Sequence, residues 1–175
     1  MKKLLAAIFS VFVLSLKLTA QDLPLSQKII TKKTVVNCPV EKAWWKWTTH
    51  EGLKTFFGQD NQMELRIGGP FEIYFSTDAP AGSRGSEGCK VLSYLPERML
   101  SFSWNAPPQF AEIRSGDYHT WVVIRFAEAA DGKKTEVELS HLGWPDSKEW
   151  DEVHDYFDKA WGYVFKWFEE SCQSK

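Results

Sequence analysis

From Met63 to Leu142 the apolar side chains recur mostly at every second residue, and from Trp150 to Phe168 at every third or fourth. The first period is that of strands with one buried face, and the second is that of an amphipathic helix. A run of half-buried strands followed by one long apolar-striped helix has few ways to bury both surfaces. The helix must lie on the sheet, which predicts an α+β fold.

Within the strand region, Met63, Leu65 and Ile67 share one face, and Gly68-Gly69-Pro70 supplies a turn. Phe71, Ile73 and Phe75 continue as the partner strand, and Cys89 to Tyr94 reads as the next. Leu100, Phe102 and Trp104 alternate with Ser101 and Ser103. Residues 105–116 form a long loop or lid, and strands over 118–126 and 135–142 are joined across Asp131-Gly132. Ahead of this region a strand is predicted over 28–37, then short helices over 40–48 and 51–57. In the terminal helix, predicted over 148–170, Trp150, Val153, Phe157, Trp161, Val164 and Phe168 make one stripe. Tyr156, Ala160, Tyr163 and Trp167 widen the apolar arc. A straight helix cannot follow a strongly bent sheet along its whole length. A pocket between them is the expectation, and a space filled by the protein's own rings is the alternative.

Met1 to Ala20 has a basic start and an uncharged apolar run from Leu4 to Leu16. It reads as a secretory signal peptide, too short in its apolar part to span a bilayer. The expected organisation is a signal peptide at 1–20, a lead-in at 21–27 and a domain at 28–172, periplasmic or secreted. No stable membrane insertion is expected after cleavage. Losing Lys2, Lys3 and Lys17 takes the formal charge from −2 to −5. With no long basic run left, nucleic acid is not an expected partner. Cys38, Cys89 and Cys172 are an odd set for an exported chain. One bridge among them is possible, with no pair favoured by sequence. Isolated, partly buried thiols are the preferred reading.

No spacing marks a metal or cofactor site, and none is expected. No Gly-x-Ser-x-Gly elbow occurs. His141 and His154 are the first polar candidates, as acid, base or ligand donor. The competing reading gives each a bond to backbone or to a nearby carboxylate. The unusual content is aromatic: 12 Phe, 9 Trp and 5 Tyr in 175 residues. Rings offer a ligand apolar area and a polar edge. The candidate ligand-binding set is Trp44, Phe71, Trp104, Trp121, His141, Trp144, His154, Phe157 and Trp161.

Several strings, in order, resemble the activator of heat-shock-protein-90 ATPase homologue-like family, within the START-like (SRPBCC) superfamily. They are Pro39-Val40-Glu41-Lys42-Ala43-Trp44, Phe56-Phe57-Gly58, Arg66-Ile67-Gly68-Gly69-Pro70-Phe71, Leu100-Ser101-Phe102-Ser103-Trp104 and Glu138-Leu139-Ser140-His141-Leu142-Gly143. His154 and Ala160-Trp161 sit where the family often has a histidine and a Gly-Trp pair. The resemblance implies a helix-grip fold, a curved antiparallel sheet wrapped around a long C-terminal helix, enclosing a cavity. The ATPase activation is not carried over, because an exported domain does not meet that cytosolic partner. The expected function is binding a small apolar or aromatic molecule in an internal cavity. Two alternatives stand: a cyclase- or hydrolase-like enzyme using a cavity histidine, and a protein-interaction module with a filled core.

Overall fold

The computed structural model describes residues 24–129 and 132–173. The leader read at 1–20 and Asp131 of the expected hairpin turn lie outside them. The elements are β1 (Ile30–Val36), α1 (Val40–Thr48), α2 (His50–Lys54), β2 (Asp60–Met63), β3 (Phe71–Tyr74), β4 (Val91–Leu95), β5 (Met99–Trp104), α3 (Ala111–Arg114), β6 (Thr120–Glu128), β7 (Thr135–Leu142) and α4 (Lys148–Gln173).

Five strands form one antiparallel sheet in the order β1-β7-β6-β5-β4, and β2 and β3 form a separate hairpin. The alternation seen in sequence decides which side chains enter the core. Leu100, Phe102 and Trp104 of β5, Val122, Ile124 and Phe126 of β6, and Val137, Leu139 and His141 of β7 are all buried. The terminal helix covers this face through Trp150, Val153, Phe157, Trp161, Val164, Phe165 and Phe168. Its first turn is held by Ser147, whose Oγ accepts from the Trp150 N–H at 3.4 Å. Along one flank, β1 and the residues just before it tether the helix: Lys28 to Asp151 at 2.5 Å, Lys32 to Asp158 at 2.8 Å, and the Thr34 hydroxyl to Glu169.

The two short helices pack almost backbone to backbone. A Cβ on Gly52 would lie 2.2 Å from the Trp45 carbonyl oxygen, so only glycine fits there. This close approach lets Trp47 enter the core against Phe56, Phe57 and Phe168 at 5.0, 5.6 and 5.6 Å.

Three expectations are corrected. The strand predicted through Ile67 stops at Met63, because the backbone of 64–69 is used by turn bonds such as Gly69 N–H to the Arg66 carbonyl. Ile67 is 71% exposed as a result. The lead-in is not loose from Pro24 onward, since Ser26 donates to the Trp144 carbonyl and Asp146 to the Pro24 carbonyl, both at 2.8 Å. The preferred picture of isolated thiols fails for two of the three. The helix runs on to Gln173 and brings Cys172 to Cys38, with 5.5 Å between Cα atoms, in a disulfide. Cys89 alone stays free, and it is buried.

Candidate functional site

The centre of the helix–sheet interface is filled by the protein's own rings. Phe71 stacks on Phe102 at 3.9 Å, Trp104 lies 5.3 Å from Trp161, and Phe57 stacks on Trp104 at 5.9 Å. Offset and edge contacts of this kind add to the area term and fix ring orientation. The expected internal cavity is not found there: the filled centre is the alternative outcome, and the open space lies as a groove along the helix's other flank.

That flank carries the second apolar stripe. Tyr156, Ala160, Tyr163 and Trp167 are spaced by 4, 3 and 4 residues, which puts them in one row. Rather than packing on the sheet, the row forms one wall of a groove of about 300 Å³. Phe75, just past β3, makes the opposite rim, and Phe57, Trp104, Phe157, Trp161 and Val164 complete the lining. Tyr156, Tyr163, Trp167 and Phe75 are 41, 63, 44 and 54% exposed, a dense set of large apolar groups left to water. Trp167 is eleven helical steps on from Tyr156, so the row is about 16 Å long. A narrower hollow of about 60 Å³ shares Phe75, Trp104, Tyr156 and Phe157 and adds Ser86, Asn105, Pro107 and Pro108. Among the described residues, no charged side chain lines either space. The Trp104 indole N–H, buried beside both, has no hydrogen-bond partner among the described residues.

The loops that wall this hollow are pinned by one arginine. Arg114 of α3 donates to the carbonyls of Ala106 at 2.5 Å, Gly82 at 2.7 Å and Gly85 at 2.8 Å, and lies 3.3 Å from Glu87. The expected lid at 105–116 is thus a clasped segment with one short helix in it.

His141 is fully buried and belongs to a closed relay. Trp161 Nε1–H donates to His141 Nδ1 at 2.9 Å, which fixes the neutral tautomer with its proton on Nε2. That proton goes to the Thr120 hydroxyl at 2.7 Å, and the hydroxyl donates to the Trp104 carbonyl at 2.9 Å. Burial, and then the nearby His154, hold the imidazole pKa well below its ordinary value. With both ring nitrogens engaged, His141 has nothing to offer a ligand. It acts through Trp161, the groove floor it orients. His154 does not pair with it. Its Nδ1 lies 3.2 Å from Asp155, and its ring sits 5.2 Å from Trp144.

Of the nine candidates, Trp104, Phe157 and Trp161 line the groove. Phe71, His141 and Trp144 are interior packing groups. Trp44 packs on Phe126 at 5.6 Å, on the α1 side of the core. Trp121 lies on the opposite face of the sheet, one residue out of step with the buried Thr120 and Val122, and covers Gly143. Alternation alone excludes it from the inner face. Phe57, Phe75, Tyr156, Ala160, Tyr163, Val164 and Trp167 are groove residues outside the candidate set. The 4-3-4 spacing on the helix was the available signal for four of them. Among the described residues no group of His, Cys, Asp or Glu is placed to hold a metal ion, and no helix is long and apolar enough to cross a membrane.

The fold has clear relatives among solved structures. Bacillus halodurans protein BH1534 superposes with a TM-score of 0.61 at 23% identity, over 86% of this chain and 100% of that one. The Aha1 dimer from Colwellia psychrerythraea gives 0.61 at 15% identity, over 84% and 97%. CalU16 from Micromonospora echinospora gives 0.60 at 20% identity, over 83% and 76%. No curated protein sequence matches the chain. The sequence profile of the Activator of Hsp90 ATPase homolog 1-like proteins matches residues 37–171. With that match over most of its length and a START-like fold around its long helix, the chain belongs to the Activator of Hsp90 ATPase homolog 1-like family.

Proposed function

We propose that this protein binds a small apolar or aromatic molecule in the groove along α4, outside the cytoplasm, without transforming it. The carrying observation is the row Tyr156, Ala160, Tyr163 and Trp167 standing open opposite Phe75, above a floor of Trp104, Phe157 and Trp161. The groove volume of about 300 Å³ is at the lower end for small-molecule sites. Enclosing roughly 200 Å² of apolar ligand surface contributes about 5 kcal/mol before the cost of association. The uncharged lining favours a neutral ligand, since a charge there would be desolvated without a partner. The buried and fully bonded His141 gives no support to chemistry by a cavity histidine. The basic-apolar leader and the Cys38–Cys172 bridge support an oxidising compartment.

The test is native mass spectrometry of the protein purified from its own host, wild type beside Ala160→Trp. Ala160 lines the groove, so a tryptophan in its place takes up groove space. A retained neutral molecule in the wild type, absent from the filled variant, is the expected result. Equal retention by both removes the groove as the site. A ligand-free wild type that also fails to bind N-phenyl-1-naphthylamine, a neutral fluorescent probe, refutes the binding function.

A further inference from the structure

We propose that the Cys38–Cys172 disulfide is a clasp that holds the groove-bearing end of α4 onto the sheet and so sets how tightly the groove binds. The two cysteines are 134 residues apart in sequence and both are buried. Cys38 sits where β1 hands over to α1, and its carbonyl is fixed by the Thr135 hydroxyl at 2.8 Å. Cys172 lies in the last turn of α4, five residues beyond the groove residue Trp167. The Thr34–Glu169 hydrogen bond and Phe168, whose ring lies 5.6 Å from Trp47 and 5.1 Å from Phe56, are among the other contacts at that end of the helix. Helix ends fray first, because their last carbonyls lack partners within the helix. A covalent tie at this position removes the frayed states from the native ensemble and keeps Trp167 against the groove.

Closing the clasp takes two electrons and two protons from the two thiols. A disulfide-bearing oxidant accepts both and leaves as a dithiol, by way of a mixed disulfide with one of the two cysteines. A dithiol reductant reverses the step. Because the bridge is buried, the reductant's thiolate reaches it only when the last turn of α4 opens. Cys89 does not compete in this exchange. Burial pushes its thiol up to about 12, so it carries almost no thiolate at neutral pH.

The clasp stands on its own geometry, and its effect on ligand affinity rests on the groove reading above. The experiment compares the oxidised full chain, the same protein reduced with dithiothreitol, and the double variant Cys38→Ser/Cys172→Ser. Amide deuterium exchange is read by peptide, and N-phenyl-1-naphthylamine titration is read by fluorescence. Opening the clasp is expected to speed exchange at least tenfold in the peptide over 164–173, with β5–β7 unchanged, and to weaken the probe several-fold. The probe, in turn, is expected to slow reduction by dithiothreitol. Unchanged exchange at 164–173, or equal acceleration in every element, overturns the clasp. A probe that binds equally before and after reduction overturns its control of the groove. A probe that binds neither form refutes the groove reading, while the exchange data still decide the clasp.

Discussion

Thr120→Val replaces a buried hydroxyl by a methyl group of nearly the same size, so the core keeps its volume while the relay loses its middle member. In the native protein that hydroxyl accepts the His141 Nε2 proton at 2.7 Å and donates to the Trp104 carbonyl at 2.9 Å. The variant leaves the imidazole N–H fully buried with no acceptor and takes one donor from the carbonyl. An orphaned buried group costs about 1–3 kcal/mol, and the weakened carbonyl adds a smaller amount. The expected loss is therefore about 2–4 kcal/mol. Thr120→Ser keeps the hydroxyl and gives up only one methyl group, about 1 kcal/mol. Urea unfolding followed by far-ultraviolet circular dichroism measures both, with the m-value checked for constancy. A valine variant within about 0.5 kcal/mol of wild type, or no worse than the serine variant, would show that the relay does not hold His141 and would refute its assignment as a structural group.

Acid should expose the same histidine. Its folded pKa is depressed, so the unfolded chain takes up a proton first; stability is complete above the unfolded value of about 6.5 and falls as pH drops below it towards the folded value. Urea midpoints at pH 8 and pH 5 should show this decline, and it should be smaller in His141→Phe than in wild type. Gly143→Ala should cost about 2 kcal/mol or more, because Gly143 has φ +85° and an added Cβ would stand 2.1 Å from the Trp121 ring; thermal unfolding checks it. Cys89 should resist iodoacetamide at pH 8 in the native protein and take up one equivalent in urea, as counted by intact mass, since burial raises its thiol to about 12.

Where the period of two was unbroken, the sequence predicted the faces correctly: Leu100, Phe102 and Trp104 point inward as their alternation with serine requires. The same rule read more strictly would have removed Trp121, which is out of step with Val122 and Ile124. The hairpin was harder to read, since Met63, Leu65 and Ile67 alternate, yet the bonds of 64–69 go into a turn and to Val91 of β4. The pairing of Cys38 with Cys172 depended on the last turn of α4 and on its position against β1, which no local pattern carries. The groove was half visible. Tyr156, Ala160, Tyr163 and Trp167 form a row at helical spacing, but whether a second apolar row is packed or open depends on what lies opposite. Here that is Phe75, exposed because β3 ends one residue before it.

In the proposed function, a neutral apolar molecule settles on the open side of α4. Methyl chemical shifts during titration with N-phenyl-1-naphthylamine test it most directly. Ala160 and Val164 line the groove, whereas Leu139 lies in the sheet core. Ring-current shifts at the Ala160 and Val164 methyls that saturate with the probe, and a silent Leu139, are expected. Saturating shifts at Leu139 with Ala160 unmoved would place the ligand elsewhere and contradict the proposed function.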